Sequence, residues 1–369
     1  MSKIGVLTIP DLTSYNPERI TFGICSAIGT DNDVDIVGAE SVSDRIADWF
    51  SIFSYLPRQR SSRPLQLLLL LPVTALNLLL YIHREKPDVL ASFGNLGVNG
   101  FLVTTIGRLV STPSVVRVTS DMFEIYRYQS SPFERLNTFV QNNVFGYIAV
   151  QLASRVIVLG PRTEDKLVNR GVASSKIHII PQPPQTEEVP HPDSAFSVRA
   201  KHDIPADIPV ILYVGRFSNE KGAERLIQTV NYVLNRSDDI HFLLVGAGGE
   251  KAKLVERALE GPRVHFAGHV KHEYIHYYYK AADIFLQPSN TEGLPNTVLE
   301  SLYFNLPVVA TDSGGEVITH VSNIGTDNRE LGELLLRGGE NLITDTLPDR
   351  ATSQRNAELY RRLFSTIEV

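Results

Sequence analysis

The chain has 369 residues, of which 43% are hydrophobic and 21% charged, a length suited to two packed domains and a composition that excludes disorder and low complexity. Its 35 Lys plus Arg against 41 Asp plus Glu give a net charge of -6, which argues against a nucleic-acid-binding protein basic over its whole surface. The single cysteine, Cys25, rules out an internal disulfide and a cysteine-rich zinc site and suits a reducing, cytoplasmic setting.

Residues 1–10 lack the charged start and apolar core of a signal peptide and read as a first strand. Asp31, Asp33 and Asp35 precede a second strand and read as a solvated loop rather than a metal site. The most apolar stretch, 65–82, is interrupted by Gln66, Pro72, Thr74 and Asn77, and falls short of the roughly 20 clean apolar residues that span a bilayer. Just before it, Arg58, Arg60 and Arg63 stand without an acid and lead into the leucines of 67–71. Basic residues beside an apolar run suit the surface of an anionic membrane; a buried helix behind a solvated arginine loop accounts for the same pattern.

Short apolar runs recur at 4–9, 35–37, 89–92, 115–118, 155–159 and 177–180, and again at 210–214, 241–245, 264–266, 284–286 and 308–310. Longer amphipathic stretches separate them, the pattern of parallel strands buried between helices. A segment rich in proline and acid follows residue 181 and reads as a linker. The expected architecture is α/β, with two doubly wound Rossmann-like domains facing across a cleft: 1–184, a linker over 185–204, and 205–349. Helix formers over 352–364 put Ala357, Tyr360 and Phe364 on one face.

The chemistry concentrates in the second half. After the run 210–214 comes Gly215-Arg216-Phe217-Ser218-Asn219-Glu220-Lys221-Gly222 and then a helical stretch. An Arg and a Lys at a strand end, before the free N–H groups of a helix, can hold a diphosphate; an ordinary solvated loop reads the same. The glycines Gly246, Gly248 and Gly249 form half of a dinucleotide fingerprint, but Val264 to Phe266 occupy the place where a ribose-binding acid is expected, so bound NAD is not expected. The run 284–286 leads through Pro288-Ser289-Asn290-Thr291-Glu292-Gly293-Leu294-Pro295 into a helix carrying Glu300. Proline is tolerated at the start of a helix, and the two carboxylates suit the hydroxyl groups of a sugar and a ribose. A second glycine turn, 311–316, follows the next strand and is expected beside the first.

Together, Gly215-Arg216 with Lys221-Gly222, Gly268-His269-Val270, Glu292 with Glu300 at E-x7-E spacing, Pro307 to Thr311 and Gly314-Gly315 closely resemble glycosyltransferase family four. The resemblance runs to about Ile318 and extends more loosely back to 155–159 and 176–181. It implies the GT-B architecture and retaining transfer of a sugar from a nucleotide-diphosphate donor to a glycan or lipid-linked acceptor, with no cofactor and no metal. By the same likeness Arg216 and Lys221 hold the diphosphate, Glu300 the ribose, and Glu292 with the amides of Gly293 and Leu294 the sugar. Val270 meets the base through its backbone, Gly215 and Gly246 belong to the donor site, and helix 352–364 crosses back onto the first domain. Where many members carry a histidine after the fourth strand, this chain has Arg117-Val118-Thr119-Ser120-Asp121, so Asp121 is the candidate for a polar role there. It joins Glu292, Arg216 and Lys221 as a candidate catalytic residue.

Two other functions remain to be tested. Loss of that histidine is compatible with a nucleotide-sugar binding protein without turnover. The run His272-Glu273-Tyr274-Ile275-His276 is a literal H-E-x-x-H, which on a helix could hold zinc with Glu292 as third ligand. It is read instead as the solvent-facing side of a helix before the E-x7-E strand.

Overall fold

A computed structural model describes residues 2–8, 11–12, 15–38, 41–42, 44–54, 63–94, 96–119, 121–182, 197–338, 342, 345 and 351–367. The chain forms two compact units: Met1–Phe123, Leu136–Gln182 and Arg350–Val369 make the first, and Glu124–Arg135 with Pro183–Asp349 the second.

The first unit is built on β1 (Lys3–Leu7), β2 (Asp33–Val37), β3 (Ser51–Phe53), β4 (Val89–Ser92), β5 (Ser114–Arg117), β6 (Arg155–Val158) and β7 (Ile177–Ile179). They form one parallel sheet in the order β3-β2-β1-β4-β5-β6-β7. β4 and β5 are buried along their whole length, as expected for strands with helices on both faces. Ile24 and Ile28 of helix Tyr15–Gly29 share a core with Tyr360, Leu363 and Phe364 of helix Ala351–Ser365. Phe93, following β4, meets Tyr360 and Phe364 edge to face. On the opposite face Leu78, Tyr81, Leu102 and Ile106 pack against Leu7, Val37 and Leu90. Fully burying each such side chain contributes about 1.5 to 3 kcal/mol, so the terminal helix is an integral layer of this unit.

Asp35 corrects the solvated-loop expectation. It lies within β2, is 2% exposed, and accepts a 2.8 Å hydrogen bond from the Tyr81 hydroxyl with Lys3 Nζ 3.4 Å away. A buried carboxylate needs such partners to offset its desolvation. Arg58 and Arg60 lie outside the described residues; Arg63 and the leucines of 67–71 belong to helix Arg63–Glu85, which contains Pro72. Among the described residues, no helix is long and apolar enough to cross a membrane.

The second unit repeats the plan with β8 (Val210–Val214), β9 (His241–Val245), β10 (Val264–Gly268), β11 (Ile284–Gln287), β12 (Val308–Thr311) and β13 (Asn323–Gly325). These form a parallel sheet ordered β10-β9-β8-β11-β12-β13. Its core begins inside the segment read as linker: Val198 and Ile204 are buried against Leu243 and Tyr278, and Ser197 caps the short helix Val198–Lys201. The edge strand β3 escapes the hydrophobic pattern because it is short and only partly buried, and β13, Asn323-Ile324-Gly325, because it holds a single large apolar residue.

Three histidines meet where β9 and β10 begin. His241 Nδ1 and His265 Nε2 are 2.9 Å apart, and the His202 ring lies near His265 and Tyr278. Burial lowers all three pKa values below 6.5; Arg263 adds to this at His241, Lys201 and His265 at His202, and His241 at His265, while Asp203 opposes it at the latter two. In the unfolded chain these histidines take up protons more readily than in the fold, so stability rises with pH. It should be complete above about pH 6.5 and fall as the pH drops through that value, with melting curves of the His241→Gln, His265→Gln variant showing a shallower fall; an equal fall in the variant would remove these residues as the cause.

Candidate functional site

In an open parallel sheet, ligands bind beyond the carboxyl ends of the strands, at the point where strand order reverses. In the second unit that point lies between β8 and β11, which pair directly. The two loops leaving it are 215–222 and 288–295, the segments that carry Arg216, Lys221 and Glu292.

Their backbones touch. Gly222 has φ of +71°, and a Cβ there would run into the Pro288 carbonyl, so this turn requires glycine on both counts. Gly222 leads into helix Ala223–Leu234, whose Arg225 donates from Nη1 to the carbonyls of Pro288 at 3.0 Å and Ser289 at 3.3 Å. Asn290 and Thr291 N–H groups donate to the Glu220 carbonyl at 3.0 and 3.4 Å. The second glycine turn closes from the other side: Glu292 N–H donates to Ser313 O at 3.1 Å and Glu316 N–H to Gly293 O at 2.7 Å. Gly315 has no room for a side chain there, because a Cβ would collide with the Glu292 and Gly293 carbonyls.

This framework brings the first group of candidate residues together. Glu292 is 8% exposed, and its Oε1 accepts from Lys221 Nζ at 2.7 Å, Ser289 Oγ at 2.9 Å and Gln287 Nε2 at 3.1 Å. Thr297 Oγ1 in turn donates to Gln287 Oε1 at 3.2 Å. Three donors on one oxygen fix the carboxylate's orientation and leave Oε2 outside these contacts. Gly293 and Leu294 are buried beside it; among the described residues their N–H groups donate to no backbone acceptor. Arg216 stands apart, its side chain 62% exposed and 3.5 Å from Glu220 Oε2. Gly215 and Gly246 adjoin: Gly215 N–H donates to Val245 O at 2.9 Å, and Gly246 N–H to Gly268 O at 2.9 Å.

A second group surrounds Glu300, which is 3% exposed on helix Asn296–Tyr303. Its Oε2 accepts from Tyr279 OH at 2.8 Å, and its Oε1 lies 3.1 Å from His272 Nε2. Burial and the Glu300 charge push the Tyr279 phenol well above its ordinary value of 10.0, so it remains a donor. Val270, two residues before His272, packs against the core that contains Tyr279.

These contacts correct the solvent-facing reading of the H-E-x-x-H run. His272 starts a short 3-10 turn, His272–Tyr274, and His276 follows in helix Ile275–Ala281 with 3% exposure and its ring 4.1 Å from that of Tyr277. The change of helix type breaks the single α-helical face on which the two imidazoles would meet a metal, and His272 is engaged with Glu300. Glu292, the third ligand of that reading, is held by Lys221.

Asp121 lies in the first unit, after β5, where Lys166 Nζ pairs with its Oδ2 at 2.7 Å and its side chain is 4% exposed. Arg117, ending β5, is 2% exposed and donates from Nη2 to Gln182 Oε1 at 2.9 Å.

Residues 208–337 match the family described as glycosyl transferases group 1. That stretch of the chain is similar to the group 1 glycosyl transferases. The match covers the whole switch point, from the start of β8 to the helix Asn328–Arg337 after β13. The chain is 25% identical over 225 residues to alpha-D-kanosaminyltransferase of Streptomyces kanamyceticus, covering 59% of this chain and 58% of that protein. It is 28% identical over 236 residues to the lipopolysaccharide core biosynthesis glycosyltransferase LpsE of Rhizobium meliloti, covering 63% and 58%. The chain therefore spans somewhat over half the length of these curated relatives. Among solved structures, sucrose-phosphate synthase from Thermosynechococcus elongatus superposes with a TM-score of 0.69 at 21% identity, over 99% of this chain and 95% of the other. Anabaena HepE in complex with UDP-glucose superposes at 0.66 with 16% identity over the same shares. The fold is the two-sheet, GT-B-like architecture.

Within residues 208–337, sequence reasoning passed over Gln287, Ser289, Thr297, His272 and Tyr279 as supports for the two glutamates, and Arg225 as a support for the 288–295 loop. Arg225 carried no signal beyond its place in a helix. The other supports act through spatial neighbours that no spacing rule specifies, except Ser289, three residues before Glu292.

Proposed function

We propose that this protein is a retaining glycosyltransferase that moves a sugar from a nucleotide-diphosphate sugar to a glycan or lipid-linked acceptor at the cytoplasmic face of a membrane. The observation that carries the donor side is the pair of glutamates at the switch point of the second unit, one held by Lys221 and the other by Tyr279 and His272. Arg216 and Lys221 receive the diphosphate, whose departure leaves an oxocarbenium-like sugar. Cations and free helix N–H groups aimed at the leaving diphosphate provide the largest electrostatic stabilisation open to the site. Glu292, with the Gly293 and Leu294 amides, holds the sugar; Glu300 takes the ribose, and Val270 and Gly246 border the nucleoside. Relatives are named as sugar transferases, and solved structural neighbours hold UDP and UDP-glucose, which supports a nucleotide-sugar donor. Asp121 is the polar candidate on the acceptor side.

Purified protein supplied with UDP-, GDP- and ADP-sugars should release the nucleoside diphosphate faster with an acceptor extract than without one. Binding without release would favour the non-catalytic alternative. The membrane part rests on Arg58, Arg60 and Arg63 beside the leucine run. Each basic residue near an anionic surface contributes about 1 kcal/mol, so flotation with phosphatidylserine vesicles should weaken with salt and fall when all three become Ser. Undiminished flotation of that variant would remove this segment as the contact.

A further inference from the structure

Glu300 can take a ribose only if its carboxylate is held in one orientation, and its two oxygens are held differently. Tyr279 grips Oε2 from a fully buried position on helix Ile275–Ala281. Oε1 faces His272, whose side chain is 20% exposed and which sits in the turn between Val270 and that helix. An ionised carboxylate can only accept, so His272 bonds through a protonated Nε2, and that choice of tautomer is imposed by Glu300 itself. Tyr279 belongs to the core that also contains Phe285, Val298 and Leu302. His272 lies two residues beyond Val270, which packs against that core, and its own side chain is 20% exposed.

We infer that His272 is a positioning residue of the nucleoside end of the donor site, orienting Glu300 through its Nε2–H so that the carboxylate is pre-set for ribose hydroxyls. This rests on the donor reading above. Its consequence is selective: His272 should matter for ligands that carry a ribose and not for the diphosphate alone, because Arg216 and Lys221 lie on the loop after β8, where they pair with Glu220 and Glu292 and not with Glu300. The H-E-x-x-H run then has its first histidine assigned to substrate positioning.

A hydrogen bond to a charged group is strong enough that losing it weakens binding by about tenfold. Calorimetry should be run with whichever of UDP, GDP and ADP binds the wild type most tightly, and with inorganic pyrophosphate. His272→Ala should bind that nucleoside diphosphate about tenfold more weakly and pyrophosphate with unchanged affinity. His272→Gln, whose amide nitrogen can reach the place of Nε2, should recover most of the loss. In turnover His272→Ala should raise donor KM with kcat unchanged; because it leaves Oε1 of a 3% exposed carboxylate without this donor, it should also melt somewhat below the wild type, and His272→Gln should recover both. Three results would overturn the inference: unchanged nucleotide affinity in His272→Ala, equal losses for nucleotide and pyrophosphate, or no recovery with Gln. Glu300→Gln separates this failure from that of the donor reading, since weaker nucleotide binding in Glu300→Gln but not in His272→Ala removes His272 alone. Unchanged binding in Glu300→Gln, or no nucleotide binding by the wild type, removes both.

Discussion

Glu292→Gln should lower kcat by on the order of 100-fold with little change in donor KM, whereas Glu300→Gln should raise donor KM and leave kcat near the wild-type value. Glu292 is proposed to lie beside the sugar, where positive charge develops at the anomeric carbon as the diphosphate leaves. An interaction that strengthens only in the transition state appears in kcat. Glu300 is proposed to act on the ribose, remote from bond breaking and bound alike in both states, so its loss appears in KM. Glutamine has nearly the size of glutamate, so the comparison reads charge rather than packing. At position 292 it also removes the negative charge that Lys221 Nζ meets at 2.7 Å and that Ser289 and Gln287 orient. Steady-state kinetics at saturating acceptor decide the matter. Equal kcat losses in both variants, with neither KM moved, would show this division of labour to be wrong.

Arg216→Ala and Lys221→Ala should each weaken nucleoside-diphosphate binding at least about tenfold, because a charged hydrogen bond to a phosphate contributes roughly 1.5 to 3 kcal/mol. Their effects on the fold should differ. The Arg216 side chain is 62% exposed with one weak neighbour, and surface ion pairs of that kind contribute little to stability, so its removal should leave the melting temperature unmoved. Lys221 is 24% exposed and faces a carboxylate that is 8% exposed. Removing it leaves Glu292 largely buried without its cation, which is costlier than the pair was favourable. Lys221→Ala should therefore melt below the wild type, and Lys221→Ala combined with Glu292→Gln should recover part of that loss. Calorimetric titration and thermal melts on the same samples separate the two effects; unchanged affinity in both single variants would remove this loop as the phosphate seat.

Burial patterns were legible in the sequence because parallel strands covered on both faces must be apolar along their length. β4, β8 and β9 coincide with apolar runs at 89–92, 210–214 and 241–245. Asp35 was misread for the same reason: a charged residue in a short run signals solvent unless a partner is known, and its partners, Tyr81 and Lys3, stand 46 and 32 positions away. His276 likewise reads as a surface residue in a tyrosine-rich helix and is 3% exposed.

By itself the sequence determined the alternation of buried strands and helices, the place of the glycine turns, and the residue types whose spacing resembles a nucleotide-sugar transferase. Those features are local: period, turn chemistry and motif spacing are set by near neighbours along the chain. Tertiary structure alone decided which residues act together. Strand order set β8 against β11 and so carried Lys221 to Glu292 across 71 positions. It also turned a metal-like histidine toward Glu300, 28 positions on. Side-chain pairing over such distances is fixed by which strands adjoin and which loops cross, a property of the folded sheet that no stretch of sequence contains.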